Sequence, residues 1–451
     1  MPNCKFIAIL FGILILCSPL CSDAFDEPTI EIVVSERGTL IGICKEYLEY
    51  PKKWREIAKI NQINNPDLIY PGQVLHIPAS LLKAVPAYGV AGFIKGRVEV
   101  QSEGSKEWGL LSIHDRVREG TRIRTNGDST VEIVFEDGNS FLQRSNTTLD
   151  LSTARKTVAN YSLYRLFLTM GSTVTKIKRV TGTESRFEIG TPSCVAAARG
   201  TLFRTSVDPN ESSRSEVLQG AVDVEGMGQK VKVSAGEGTL VRKGEPPMEP
   251  KKLLAPPVIA NVLPIYRGIP IEFEFDRVAG AVSYRALLSR DNDFKDILLE
   301  QTLKPEAAFK VFQVDDGTYF LQVRSIDDLG IEGLPSDTAT VKVRINPLPP
   351  IIESPVNKAA YRKTSLALRW LRVKEAVRYH VQIAEDAGFN KVIENRNDIS
   401  DTEYSIANLN SKTYFFRVSS IAKDDYQGEW SDVMSFTIAS DTSLPSKAKE
   451  R

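Results

Sequence analysis

Between Phe275 and Asp432 the chain runs through one pattern twice. Tyr284 and Tyr379 lie 95 positions apart, and the same offset relates Phe294 to Phe389, Tyr319 to Tyr414, Val323 to Val418 and Ser336-Asp337 to Ser431-Asp432. Phe275 meets Trp370 in this register. A repeat without a gap requires two domains of equal length, placed at 256–345 and 348–440 and joined by INPLPPIIESP. Each copy alternates apolar and polar residues, as in YFLQVRSI and YFFRVSSI. That period belongs to half-buried strands and fits a β-sandwich with inward aromatics. Tyr319 and Tyr414 are expected in the core. Asp291 and Asp293 are expected to cap a loop, because no complete EF-hand surrounds them.

The pieces AVSYRALLSRDNDF and AVRYHVQIAEDAGF, DGTYFLQVRSID and SKTYFFRVSSIA, and GLPSD and GEWSD resemble fibronectin type III domains of the bacterial kind. The resemblance implies two tandem β-sandwiches. The Pro-rich stretch EPPMEPKKLLAPP (245–257) reads as the linker that precedes them.

From 90 to 244 the texture is again strand and turn. RVEV, TVEIVF and KVKVS alternate, and Asn126-Gly127, Asp137-Gly138 and Gly226 mark turns. Gly precedes an alternating strand in FIKGRVEV, LTMGSTVTKI and VLQGAVDV, a recurrence that predicts stacked β-hairpins or a solenoid-like β-fold. The run IRTNGDSTVEIVFEDGNSFLQRSNTTLDL, with LTMGSTVTKI and RFEIGTPSCVAAARGTLFRTSV, resembles the periplasmic domain of the ferric-citrate regulator (FecR) family. The resemblance implies that Thr191, Pro192, Arg199, Gly200, Thr201 and Phe203 belong to a recurring structural motif without catalytic duty. Arg199 is expected to turn inward and hold carbonyls or a carboxylate with its guanidinium fork. Founding members pass a transport signal through a membrane helix to a sigma factor. Neither that helix nor a cytoplasmic tail is read here, so binding of another envelope protein or a glycan is the expected use.

Residues 30–78 read strand, helix, helix, strand. TLIGICKEYL places Leu40, Ile43, Cys44 and Leu48 at helical spacing, and WREIAKIN turns Trp54, Ile57, Ala58 and Ile60 inward. Pro71-Gly72 makes a turn before a closing strand, Val74 to Ile77. DLIYPGQVLHIP, EIAKIN and Thr39-Leu40 resemble a LysM domain. The resemblance implies binding of N-acetylglucosamine-containing glycans, peptidoglycan among them. The implied groove lies between the loop at Gly38, Thr39 and Leu40 and the loop at Ile69, Tyr70, Pro71 and Gly72. Where the family carries Gly-Asp-Thr-Leu, this chain carries Arg37-Gly38-Thr39-Leu40, a departure at the groove. Residues 79–88 read as a short linker.

The N-terminus has one Lys and then FIAILFGILILCSPL, the pattern of a secretory signal cleaved after Ala24. Cys17 and Cys21 each follow Leu, which fits a lipidation signal poorly; a lipid anchor and full secretion are the alternatives to a periplasmic, cell-wall-associated location. No later stretch reads as a membrane span. Cys44 and Cys194 remain after cleavage, in different domains, and read as small buried hydrophobes. The polar tail 441–451 is expected to fray.

Lys plus Arg and Asp plus Glu number 57 each, a balance that argues against a nucleic-acid partner. Three dispersed histidines and no HExxH or Cys/His cluster argue against a zinc enzyme. No P-loop, strand-linked GxGxxG or GxSxG is present, so no cofactor is expected. The fold class is therefore mainly β and multidomain, with a small βααβ module, a β-rich central domain and two tandem sandwiches. The expected function is a non-enzymatic, exported envelope protein that binds peptidoglycan and presents β-domains to a partner. An envelope sensor receiving a signal from an outer-membrane partner is the alternative. A cell-wall hydrolase is a third reading, since carboxylate pairs are set only in space.

Overall fold

Strands Thr29–Val33 and Val74–Pro78 pair antiparallel, and helices Leu40–Tyr47 and Trp54–Ile60 pack on them. The computed structural model describes residues 29–158, 161–178 and 185–440. The segment expected to be an export signal, with Cys4, Cys17 and Cys21, and the tail 441–451 lie outside the described residues. Thr39 starts the first helix by accepting the Gly42 amide on its hydroxyl at 3.0 Å, a satisfied N-cap. Leu40, Ile43, Cys44, Ile57, Ala58, Leu75 and Ile77 form the core. Ile60 departs from the expected inward set: it is the last residue of its helix and faces solvent. Asn61 then ties that helix end to the closing strand, donating to His76 O at 2.8 Å and accepting its amide at 2.6 Å.

The linker expected at 79–88 is instead structured. Leu81 and Leu82 complete the first core, and Ala84–Pro86 pairs with Arg155–Thr157 of the central domain.

The central domain is two sheets built around one strand. Ser162–Lys176 runs fifteen residues and pairs in both sheets. Its first part lies between Thr147–Thr157 and Ser185–Gly190, the latter parallel to it; its second lies between Ser140–Gln143 and Leu202–Val207. Gly171, at φ +99°, sits at the change-over. Beyond it the chain lays down hairpins that alternate between the sheets: 185–198, 202–219, 221–234 and then 237–252. This is the stacked-hairpin form of the expected fold. Inward residues of the alternating strands fill the space between the sheets, with Phe135, Phe141, Tyr164 and Phe187 at its centre.

The two C-terminal units repeat the same strands. Ile271–Phe275, Ser283–Ser289, Gly317–Ile326 and Ala339–Val343 correspond to Leu366–Trp370, Ala376–Ala384, Thr413–Ala422 and Met434–Ile438. Each core is closed by matched polar contacts. Tyr284 and Tyr379 accept the amides of Val278 and Val373 on their hydroxyls, and Ser336 and Ser431 accept those of Val323 and Val418. Tyr319 and Tyr414 are buried and donate to carbonyls four residues back. Asp291 caps its loop by accepting the Lys295 and Asp296 amides, and Asp386 does the same with Asn390 and Lys391.

The stretch 245–257 is also more than a linker. Lys251–Lys252 extends the last central hairpin, Leu253 donates its amide to Gly236 O, and Leu254 O accepts the Leu334 amide of the first sandwich. Pro-rich composition here reflects a sheet edge, where a missing N–H costs little.

Candidate functional site

The two loops of the N-terminal module are stitched together by the backbone. Gly72 donates to Val34 O at 2.9 Å, and Val34 donates to Gln73 O at 2.8 Å. Gln73 closes the second loop, its side chain accepting the Tyr70 amide at 3.1 Å while its own amide donates to Tyr70 O at 3.0 Å. Gly72 holds φ +82°, a conformation that disfavours a side chain. The sequence Tyr-Pro-Gly-Gln thus builds a tight turn that pushes the Tyr70 ring outward, 64% exposed.

Beside this turn, Val33 and Val74 are direct cross-strand partners, and both face solvent. Leu68 is exposed on the same loop as Tyr70. The result is an apolar edge next to loop backbone, the combination a sugar ring meets with its CH face and hydroxyls. Pro71 and Gly72 are exposed, Ile69 is half-buried against the core, and Gly38 is half-buried in the facing loop. Leu40 is a correction: its side chain is fully buried at the first residue of the helix and belongs to the core rather than to a groove wall. Thr39 spends its hydroxyl on the helix cap. Arg37 is exposed on the rim.

In the central domain the signature residues divide. Thr191 is buried and its hydroxyl gathers the turn, donating to Cys194 O and accepting from the Cys194 amide, both at 3.0 Å, and from the Ser213 hydroxyl at 2.8 Å. Pro192 is half-buried in that turn, and Phe203 and Thr201 point into the interior. Gly200 adopts φ +63°, which fits its expected bend. Arg199 is the second correction. Its side chain is exposed on that bend, between strands Val195–Ala198 and Leu202–Val207, rather than inward. Cys44 and Cys194 are buried free thiols; burial pushes Cys44 up to about 11 and raises Cys194, which leaves both poor nucleophiles.

The buried arginine of this region is Arg204, five residues further on and 5% exposed, on the outer face of its sheet. It crosses to the first sandwich, donating to the carbonyls of Glu332 and Gly333 at 2.7 and 2.9 Å. Glu332 also pairs with Arg285 and Arg324. No sequence pattern announces this cluster, because alternation alone makes Arg204, Glu216 and Glu332 look solvent-facing. Among the described residues, no group of three or more His, Cys, Asp or Glu is placed to hold a metal ion, and no helix is long and apolar enough to cross a membrane.

Similarity to known proteins falls on separate segments. No curated protein matches the chain. Among solved structures, one described as an anti-sigma factor from Parabacteroides distasonis is 16% identical; the match covers 29% of this chain and 59% of that one, with a TM-score of 0.25. The chicken CNTN1 FN1–FN3 domains are 14% identical over 60% of this chain and 99% of theirs, at 0.24. The fibronectin(III)-like modules of Clostridium thermocellum CbhA are 15% identical over 38% and 85%, at 0.19. The family model for the LysM domain matches residues 32–78, and that for the FecR protein matches residues 121–223.

Proposed function

We propose that this chain is an exported envelope protein that attaches to peptidoglycan through residues 32–82 and holds its β-domains out from that anchor without catalysing a reaction. The observation that carries the reading is the exposed edge of Tyr70, Val33 and Val74 beside the stitched loops of a LysM domain. A row of acetylated sugar rings would cover this edge with its CH faces and meet the loop backbone with its amide groups. The FecR domain fits a role in contacting a further envelope protein.

Co-sedimentation with purified peptidoglycan sacculi tests the reading. The chain lacking its first 24 residues should pellet with sacculi at low salt. Tyr70→Ala should weaken that binding about five- to tenfold, the loss of roughly 1–1.4 kcal/mol, with no change in melting temperature. A wild-type protein that stays wholly in the supernatant overturns the proposal.

A further inference from the structure

Between the outer face of one central sheet and the first sandwich lies a cleft of about 280 Å³. That is far more than the roughly 10–15 Å³ one water needs. Five arginines line it: Arg144, Arg204, Arg214, Arg285 and Arg324. Four carboxylates line it too, so the wall carries one more positive than negative charge. Most of these charges are already matched. Arg214 holds Asp208 at 3.0 Å, Arg285 pairs with Glu300, and Arg324 holds Glu332 at 3.1 Å.

The buried Nε of Arg285 makes no hydrogen bond but stands against Glu332; two further arginines are less well served. Nε and Nη1 of Arg204 are buried and make no hydrogen bond; the carboxylates of Glu216 and Glu332 stand off at 3.7 and 3.5 Å. Arg144 donates to Phe294 O at 2.6 Å, and among the described residues no carboxylate comes within 4 Å of its guanidinium. Burial, with the charge of Arg324 nearby, pushes Arg144 down to about 10. A buried guanidinium whose carboxylates stand beyond hydrogen-bond distance is costly, and an anion hydrogen-bonded in the cleft would offset that cost for both residues.

We propose that this interdomain cleft binds a small oxyanion of the phosphate or carboxylate class, held by Arg144 and Arg204. The guanidinium forks suit a planar or tetrahedral group of oxygens, and the cleft has room for several heavy atoms. Because Arg144 directly follows strand Ser140–Gln143, Arg204 lies on strand Leu202–Val207 and the opposite wall comes from the sandwich, the bound anion joins the two domains.

Calorimetric titration of the purified chain with inorganic phosphate, and separately with malonate, tests the site, with sodium chloride at equal ionic strength as the reference. Saturable binding of either anion is expected, together with a rise in melting temperature of roughly 5–10 °C at a hundredfold excess over Kd. Binding of only one anion supports the proposal and fixes the class. Arg144→Gln, at a half-buried position away from the Arg204 contacts, should raise Kd at least tenfold while melting near the wild type in chloride. Failure of both anions to bind the wild type beyond chloride overturns the site. So does an Arg144→Gln chain that binds phosphate or malonate as tightly as the wild type.

Discussion

Glu216 and Glu332 face the same guanidinium, that of Arg204, yet titrate in opposite directions. Burial pushes Glu216 up to about 7; the pull of Arg204 and Arg214 only partly offsets it, and the negative charge of Glu332 adds to it. Burial opposes the charge of Glu332 as well, but Arg204, Arg285 and Arg324 together outweigh it and bring that carboxyl down to about 2. The linkage follows from proton affinity. The folded chain holds the Glu216 proton more tightly than the unfolded one, so that stabilisation is complete below the ordinary value of 4.5 and is lost as pH rises through about 7. The Glu332 contribution is present above 4.5 and lost as pH falls toward 2. Melting temperature should therefore decline between pH 5 and pH 8, by at most about 1.4 kcal/mol of stability per pH unit from this group. Scanning calorimetry on Glu216→Gln should show a flatter profile over that window; an unchanged slope would remove Glu216 as its source.

Gly171 governs the element that defines the central domain. At φ +99° it lets Ser162–Lys176 leave one sheet and join the other, and a Cβ there would stand 2.2 Å from Thr147 Oγ1 and 2.6 Å from Thr147 Cα. The second contact is backbone, which cannot swing aside. Gly104 shares the left-handed backbone, at φ +75°, but has open space around it. Gly104→Ala should cost about 1 kcal/mol and Gly171→Ala clearly more, about 3 kcal/mol or above. Equal melting temperatures for the two variants would show that the crossing strand does not need its glycine. The sequence signal here was real, since Gly96, Gly171 and Gly220, each noticed ahead of an alternating strand, all hold positive φ. The 95-residue repeat was legible for a similar reason: matched tyrosines and serines make matched hydrogen bonds within each copy. Arg199 and Arg204 mark where legibility ends. Both belong to one hairpin region, and which of them is buried depends on the sandwich that covers Arg204, a partner surface more than a hundred residues away. The Pro71-Gly72 pair makes the turn at Tyr70 legible, whereas the exposed Val33–Val74 pair beside it has no sequence signal and Leu40 is buried at the helix start.

At the scale of the whole molecule, the two sandwiches share a fold but not a setting. The first is fastened to the central domain by Leu240 and Leu253 against Ile331, with Leu218, Leu329 and Leu334 around them. Lys295 reaches Glu132 at 2.7 Å, Arg214 donates to Leu329 O at 2.7 Å, and Arg204 spans to Glu332 and Gly333. The junction to the second sandwich is slighter. Arg344 pairs with Asp424 at 2.9 Å and stacks on Tyr426, whose hydroxyl donates to Arg344 O. Equal independence for the two repeats, which their shared sequence suggests, is therefore not expected. Cut out as 256–345, the first sandwich would expose Ile331 and its leucine neighbours and leave Glu332 without Arg204. Glu332 keeps Arg285 and Arg324 in that fragment, so the main loss is the burial of the leucine cluster, roughly 1.5–3 kcal/mol for each fully buried side chain and a large part of a small domain's stability. A fragment spanning 84–345 should melt in one transition, well above that of 256–345 alone. The fragment 348–440 should melt at the same temperature alone as it does in the full chain, because the contacts it gives up are exposed and individually weak. If 256–345 alone matches 84–345, the interdomain arginine cluster contributes nothing to holding the molecule together, and the central domain and first sandwich are two bodies that merely touch.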